Sequence, residues 1–347
     1  MRAVVMRGNE LVVDDVPLPE PLDNQVVVDT IACGICGTDL HCLRHGQQFV
    51  DTSREGGMDV FVFDLDTDLV MGHELSARVT RPAADGTGPS EGTAVAVMPG
   101  VTIPGRSVGA LGYSNTYPGG YSEQFVADAR SCHVVPEHLD PTRAALTEPL
   151  SVGLHAVNAA GSDLAGGAIV LGCGPVGLTV VAWLAARGVA PIVAADFSPG
   201  RRELARAMGA DVVVDPTSLP AVEAWRENGG KDVTPPTIFE CVGVPGMIDQ
   251  AITMAPRYTT IVVVGLCMLS DTFRPTMAIN RHVSLHFVLG WTPTEFAESL
   301  AAIASGAVDV EPLITGQVDL NGVANAFEEL ASPVEHAKIL IVPGGSR

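Results

Sequence analysis

The sequence predicts a two-domain α/β protein, with an irregular β domain followed by a doubly wound parallel-sheet domain. Three observations carry this reading. The chain has 347 residues, and at about 150 residues per domain that length suggests two cores. Up to about residue 136, short β-rich runs are punctuated by Gly and Pro. From Ala168 onward strands alternate with helical stretches, the mark of βαβ units on a parallel sheet.

The first half is built from VVVDTIA (26–32), TAVAVM (93–98), YSEQFVA (121–127) and CHVV (132–135). The second half reads as the strand AIVLG, a helix from Pro175 to Arg187, IVAAD, a helix from Pro199 to Met208, then DVVVD, TIFECVG and TIVVVG. Helices from Thr294 to Ser305 and around Val323 to Leu330 lead to a last strand, KILIV, and so short a tail is expected to dock on the first domain. The expected boundaries are therefore 1–151, 152–284 and 285–347. Between 44 and 70, Asp64, Asp66 and Asp68 alternate with other residues in a pattern like a calcium loop. Loop positions six and twelve would be Leu69 and Leu75, where Gly and Glu are needed, so a solvated strand edge is the better expectation.

Composition narrows the function classes. Twenty Lys and Arg against forty Asp and Glu give a formal charge of −20, a field that repels phosphate backbones and anionic lipid. Neither nucleic acid nor membrane is an expected partner. The start MRAVVMRGNELVV reaches Arg7 and Glu10 before a signal peptide could form, so a cytoplasmic location is expected. Residues 164–186 are uncharged and long enough to span a bilayer, but Gly166, Gly167, Gly172, Gly174 and Pro175 crowd the first half. A buried strand, turn and helix fits them better. Seven cysteines, an odd number without an export signal, point to reduced thiols rather than a disulfide framework.

Gly172-Cys173-Gly174-Pro175-Val176-Gly177 follows a strand and opens a helix, the context in which GxGxxG binds a dinucleotide. Gly172 permits the tight turn, Gly174 lets the pyrophosphate approach the backbone, and Gly177 lets helix and strand pack. The helix N-terminus offers its unpaired N–H groups to phosphate. Asp196 ends the next strand, 24 positions after Gly172, and a carboxylate there accepts ribose hydroxyls and repels a 2′-phosphate. NAD is therefore expected over NADP, with Arg201 and Arg202 pulling the other way. A structural glycine turn, or a site for another adenosine cofactor, is the alternative.

Cys36-Gly37-Thr38-Asp39-Leu40-His41 places a soft ligand, a hydroxyl, a carboxylate and an imidazole within six residues, and Gly72-His73-Glu74 follows. A catalytic zinc takes three such ligands and leaves one position open. Cys36 and His73 are natural ligands, with Glu148 in TEPLS a candidate third. The alternatives are packed side chains, or Cys33-x-x-Cys36 as a redox pair or half a zinc knuckle, although no second CxxC exists to complete one. Cys42, Cys132, Cys241 and Cys267 are expected to fill the core.

In this order GICGTDLH, GHE, EPLSVGLHA and GCGPVG resemble the zinc-dependent medium-chain dehydrogenase/reductase family across nearly the whole chain. The polyol, sugar and threonine dehydrogenase branch is nearest, because Glu148 stands where liver-type alcohol dehydrogenases use a cysteine. The resemblance implies a GroES-like β catalytic domain plus a Rossmann domain, with the site in the cleft. It implies that Cys36 and His73 hold zinc, that Glu148 binds it directly or through water, and that Glu74 can exchange into the shell. It also implies that Thr38 takes the substrate proton, Asp39 orients the histidine ligand, His41 relays the proton to solvent, and Lys338 contacts the pyrophosphate. The expected cofactor set is Gly172, Gly174, Pro175, Val176, Gly177, Asp196, Arg201, Val242, Gly265, Leu266 and Lys338.

Two departures from the family stand out. The lobe near residues 95–120 has none of the four clustered cysteines of a structural zinc site, so one zinc per subunit is expected and Tyr113, Tyr117 and Tyr121 are expected to pack the lobe instead. The stretch between Cys36 and His73 is also longer than usual. The activity implied is hydride transfer between an alcohol or polyol, or the matching ketone or aldehyde, and NAD. A zinc-free reductase of activated double bonds or quinones and a non-catalytic NAD-binding sensor are the alternatives. A homodimer or homotetramer is expected by resemblance, with TIVVVGLCML as the apolar sheet edge.

Overall fold

The computed structural model describes residues 1–105, 108–331 and 336–344. It divides into two compact units: Met1–Glu148 with segments from Ile314 onward, and Pro149–Leu313.

The first unit opens with the hairpin β1 (Arg2–Arg7) and β2 (Glu10–Asp15). The long strand β3 (Gln25–Gly34) runs into helix α1 (Gly37–Glu55), which kinks at His45. Then come β4 (Glu74–Arg81), β5 (Ala94–Val97), the short pair β6 (Gly100–Val101) and β7 (Gly109–Ala110), β8 (Gln124–Asp128) and β9 (Cys132–Val134). Helix α2 (Thr147–Ala159) crosses the boundary between the units. β3 is the centre of this sheet, antiparallel to β4 and β8, because its apolar run VVV and its end at Ala32–Gly34 are buried.

The second unit is a six-stranded parallel sheet. It is built from β10 (Ala168–Leu171), α3 (Pro175–Ala186), β11 (Ile192–Ala195), α4 (Pro199–Ala207), β12 (Val212–Val214), α5 (Ala221–Glu227), β13 (Thr237–Glu240), α6 (Met247–Met254), β14 (Thr260–Val263), α7 (Pro275–Arg281), β15 (Ser284–Phe287) and α8 (Pro293–Ser305). The order β12-β11-β10-β13-β14-β15 reverses between β10 and β13, which is where such sheets bind ligands at their carboxyl ends. β10, β11 and β13 are buried at every position, as expected of strands covered on both faces.

The chain then returns to the first unit with β16 (Ile314–Val318), α9 (Val323–Ala331) and β17 (Lys338–Ile341), and β17 pairs with both β16 and β3. This matches the GroES-like plus Rossmann reading. Three expectations are corrected. The return comes at Ile314 rather than 285, because Ser284–Phe287 adds a sixth parallel strand to the second unit. For the same reason TIVVVG is no edge: β14 lies between β13 and β15, and β15 is the outer strand. Asp64, Asp66 and Asp68 do not form a strand. The Asp66 N–H donates to Asp64 Oδ1 in a turn, and Asp68 pairs with Arg7 on the surface.

The uncharged run 164–186 becomes β10 and α3, and no helix among the described residues is long and apolar enough to cross a membrane. All seven cysteines are free. In the lobe, Tyr113, Tyr117 and Tyr121 are buried as expected. The lobe's second support is Asp128 on β8, whose carboxylate accepts from Thr102 N (3.0 Å), Thr102 Oγ1 (2.6 Å) and Gln25 Nε2 (2.9 Å). Arg106 and Ser107 of the lobe lie outside the described residues.

Candidate functional site

Cys36 is the N-cap of α1, so its side chain is presented at the start of a helix whose first residues are Gly37 and Thr38. His73 and Glu74 arrive from the other direction, at the start of β4, after a turn in which Gly72 has φ of 103°. Glycine is needed there, since a Cβ would overlap the Tyr121 ring and Cys33 Sγ. Cys36, His73 and Glu74 each bring a ligand atom to within 4.8 Å of the others, the one such group among the described residues.

The chemistry of this group suits a cation. Thiolate, imidazole and carboxylate are the donors zinc takes. Burial alone would lower the affinity of His73 for a proton, yet Asp39 and Cys36 beside it hold its pKa well above the usual value. His73 Nδ1 is buried without a hydrogen-bond partner, 3.4 Å from Asp39 Oδ1, and Glu74 Oε2 is buried and unpaired. Glu148, in the first turn of α2, is buried but outside the 4.8 Å group. Cys33 also lies outside it, fully buried, with burial and then Asp39 pushing its thiol pKa up, which fits packing rather than a redox pair.

Behind the group sits Asp39, fully buried. Its Oδ1 accepts from the Tyr113 hydroxyl (2.8 Å), and its Oδ2 from the Tyr121 hydroxyl (2.7 Å) and the Cys36 N–H (3.0 Å). Burial would raise the carboxyl's pKa, but His73 and these donors hold it below the ordinary value. Burial, reinforced by Asp39, pushes both phenols up, so they stay protonated as donors. Thr38 Oγ1 accepts from the Cys36 thiol, with Sγ 3.6 Å away. His41 stands one turn along α1 from Thr38, half-buried, and burial together with His45 and Arg44 lowers its pKa from 6.5.

Lys338 departs from its expected role as a pyrophosphate contact. At the start of β17 it is 2% exposed, its ammonium 2.5 Å from Glu74 Oε1 and 3.0 Å from the Ile35 carbonyl. Burial would lower its pKa, but Glu74 and Cys36 outweigh that and raise it. Its charge is therefore spent beside the ligand group.

In the second unit the fingerprint has the expected form. Gly172 has φ of 88°, and a Cβ on Gly177 would overlap the Gly172 carbonyl. Helix α3 begins at N-cap Gly174 with Pro175 in its first turn and no side-chain cap, leaving its N–H groups free for an anion. Val176 follows Pro175 in that turn. Asp196 is pinned by the N–H groups of Cys173 and Ser198, each 2.8 Å from one carboxylate oxygen. Arg201 approaches Gly174, the nearest group to a Cβ built there, and its Nε is buried without a partner. Val242 and Leu266 are exposed beyond the ends of β13 and β14, where Gly243 and Gly265 pack backbone to backbone.

Comparison with known proteins agrees with this fold. An alcohol dehydrogenase GroES-like domain matches residues 22–137, and a zinc-binding dehydrogenase domain matches 175–305. The chain belongs to the zinc-dependent medium-chain dehydrogenase/reductase family. It is 29% identical over 340 residues to a sorbitol dehydrogenase of Gallus gallus, covering 94% of this chain and 92% of that one. It is 28% identical over 351 residues to an (R,R)-butanediol dehydrogenase of Neisseria gonorrhoeae, covering 95% and 96%. The crystal structure of 2R,3R-butanediol dehydrogenase from Bacillus subtilis superposes with a TM-score of 0.83 at 26% identity, covering 99% of both chains.

The sequence reading missed Tyr113 and Tyr121 as parts of this site and gave Lys338 a different role in it. Tyr113 is 74 positions from Asp39, and Lys338 is 264 from Glu74, so no local spacing marks them.

Proposed function

We infer that this medium-chain dehydrogenase oxidises an alcohol or polyol with NAD, using one zinc held by Cys36 and His73. The observation that carries the reading is the close approach of Cys36, His73 and Glu74 in a chain whose second unit carries the fingerprint at Gly172–Gly177. Glu74 is paired to Lys338 and so is left as the exchangeable member, and Glu148, outside the group, is left a water-mediated role. Zinc bound there supplies Lewis-acid polarisation of the alcohol oxygen.

The chain's own residues do the rest. Thr38 takes the hydroxyl proton and passes it toward His41, whose lowered pKa keeps the imidazole neutral and able to accept. Asp39 fixes the His73 ring. Gly172, Gly174, Pro175, Val176 and Gly177 cradle the pyrophosphate, with Arg201 beside them. Val242, Gly265 and Leu266 line the nicotinamide end, and Asp196 sets the ribose. The pinned carboxylate of Asp196 favours NAD, since it cannot turn away from a 2′-phosphate.

The named relatives act on sorbitol and butanediol, which supports a substrate with neighbouring hydroxyls. A homo-oligomer is supported by β15, an outer strand with Phe287 67% exposed and Ile279 of α7 69% exposed, because an open apolar edge is a template for pairing. A screen of diols and polyols, following NADH absorbance before and after metal removal, tests the activity. Turnover unaffected by chelation would overturn the zinc reading, and a monomer at micromolar concentration would overturn the oligomer.

A further inference from the structure

Two of the three buried lobe tyrosines converge on one carboxylate. Asp39 is fully buried, and a buried charge is tolerated only where hydrogen bonds replace water. Three donors reach it, two of them the hydroxyls of Tyr113 and Tyr121. Both tyrosines are held by their surroundings. The Tyr121 ring fills the space beside Gly72, immediately before His73, and packs edge-on against Phe327 at 6.1 Å. The Tyr113 ring lies 5.3 Å from the His73 ring, so the same residue touches the imidazole and donates to its carboxylate neighbour.

Tyr113 in turn is walled in by Phe49 (5.6 Å), Phe61 (5.4 Å, edge-on) and Phe63 (6.2 Å). All three come from the long stretch between Cys36 and His73. An aromatic wall of this kind fixes a ring far better than aliphatic packing, because each pair favours a defined relative geometry.

We propose that Tyr113 and Tyr121 are positioning residues for the metal ligand His73, acting through Asp39, and that the segment 44–70 serves the site by fixing Tyr113. This rests on the reading of His73 as a zinc ligand. Hydrogen bonds around a ligating histidine's carboxylate partner set the ring's orientation and its strength as a ligand, and losing such a partner typically costs 10–100-fold in metal affinity.

Tyr113→Phe and Tyr121→Phe keep the rings and remove the hydroxyls. Tyr117→Phe is the control: it is a third buried lobe tyrosine, whose hydroxyl instead donates to Gln25 Oε1 at 3.4 Å, away from Asp39. Zinc affinity is measured by competition with a chromophoric chelator, and the cobalt-substituted proteins are compared by visible absorption. The expected result is about tenfold weaker zinc and a shifted cobalt spectrum for Tyr113→Phe and Tyr121→Phe, with Tyr117→Phe like wild type. Wild-type affinity and spectrum in both test variants, or equal losses in Tyr117→Phe, would overturn the positioning role. Wild-type protein that binds neither metal would instead overturn the ligand reading beneath it.

Discussion

In the second unit, six consecutive residues, Gly172 to Gly177, carry the cofactor geometry, and the strand before and helix after them fix it. In the first unit the ligand group is assembled from the start of α1, the start of β4 and, through Lys338, the start of β17. Its carboxylate support comes from a lobe 74 to 82 positions away. The fingerprint depends on backbone conformation, which glycine placement encodes locally. The ligand group depends on buried charges, and each of these needs a partner that only the folded sheet supplies.

This contrast can be broken, most strongly at the ligands themselves. Cys36→Ser or His73→Ala is expected to lower turnover on the order of a thousandfold or more while NAD binding, followed by nicotinamide fluorescence, is retained. Parallel loss of NAD binding would show that the two regions are not separable. Next comes Lys338→Met, which leaves the Glu74 carboxylate buried without its counter-charge. Urea unfolding should show a loss of about 3 kcal/mol. Adding Glu74→Gln should restore much of it, and an unchanged midpoint in the single variant would mean that the pair contributes little.

His41→Gln is expected to slow alcohol oxidation on the order of a hundredfold. The imidazole accepts a proton only above its pKa, and burial moves that pKa down. The acid limb of wild-type kcat/KM therefore has its midpoint below 6.5, and the variant loses that limb. A limb that persists in His41→Gln belongs to another group. The smallest effect is expected in the fingerprint half, where Asp196→Ala narrows the preference for NAD over NADP by about tenfold, or about 1.4 kcal/mol. Preference for NADP in the unaltered enzyme would contradict the role given to Asp196.

How much was legible follows the same division. The strands of 168–263 are readable because each is a short apolar run, and the helices α3 and α4 because Gly, Pro or a cap marks their starts, as with Ser198, which accepts from Arg201 N at the start of α4. Cys36, His73 and Glu74 are readable as ligand types, and the fold brings them together. Helix α1 went unread because it is polar, interrupted at His45 and capped by a cysteine, and the strand edge expected within 44–70 was wrong because the Asp64 and Asp68 pattern arises from turn hydrogen bonds and a pairing with Arg7. The edge strand was misplaced because SLHF is less apolar than TIVV, yet it is the pairing of Ser284–Phe287 onto β14, rather than hydrophobicity, that decides which strand lies outermost. Tyr113 and Tyr121 carry no sequence mark of their partner, since an aromatic residue in a loop reads the same whether its hydroxyl meets water or a buried carboxylate.

The central claim is that a single metal is held by the ligand group of the first unit. Elemental analysis of the purified wild type and of Cys36→Ser tests it most directly. The account predicts one zinc per chain in the wild type and a trace in the variant; two tightly bound zincs per chain, none at all, or full zinc retained by Cys36→Ser would contradict it.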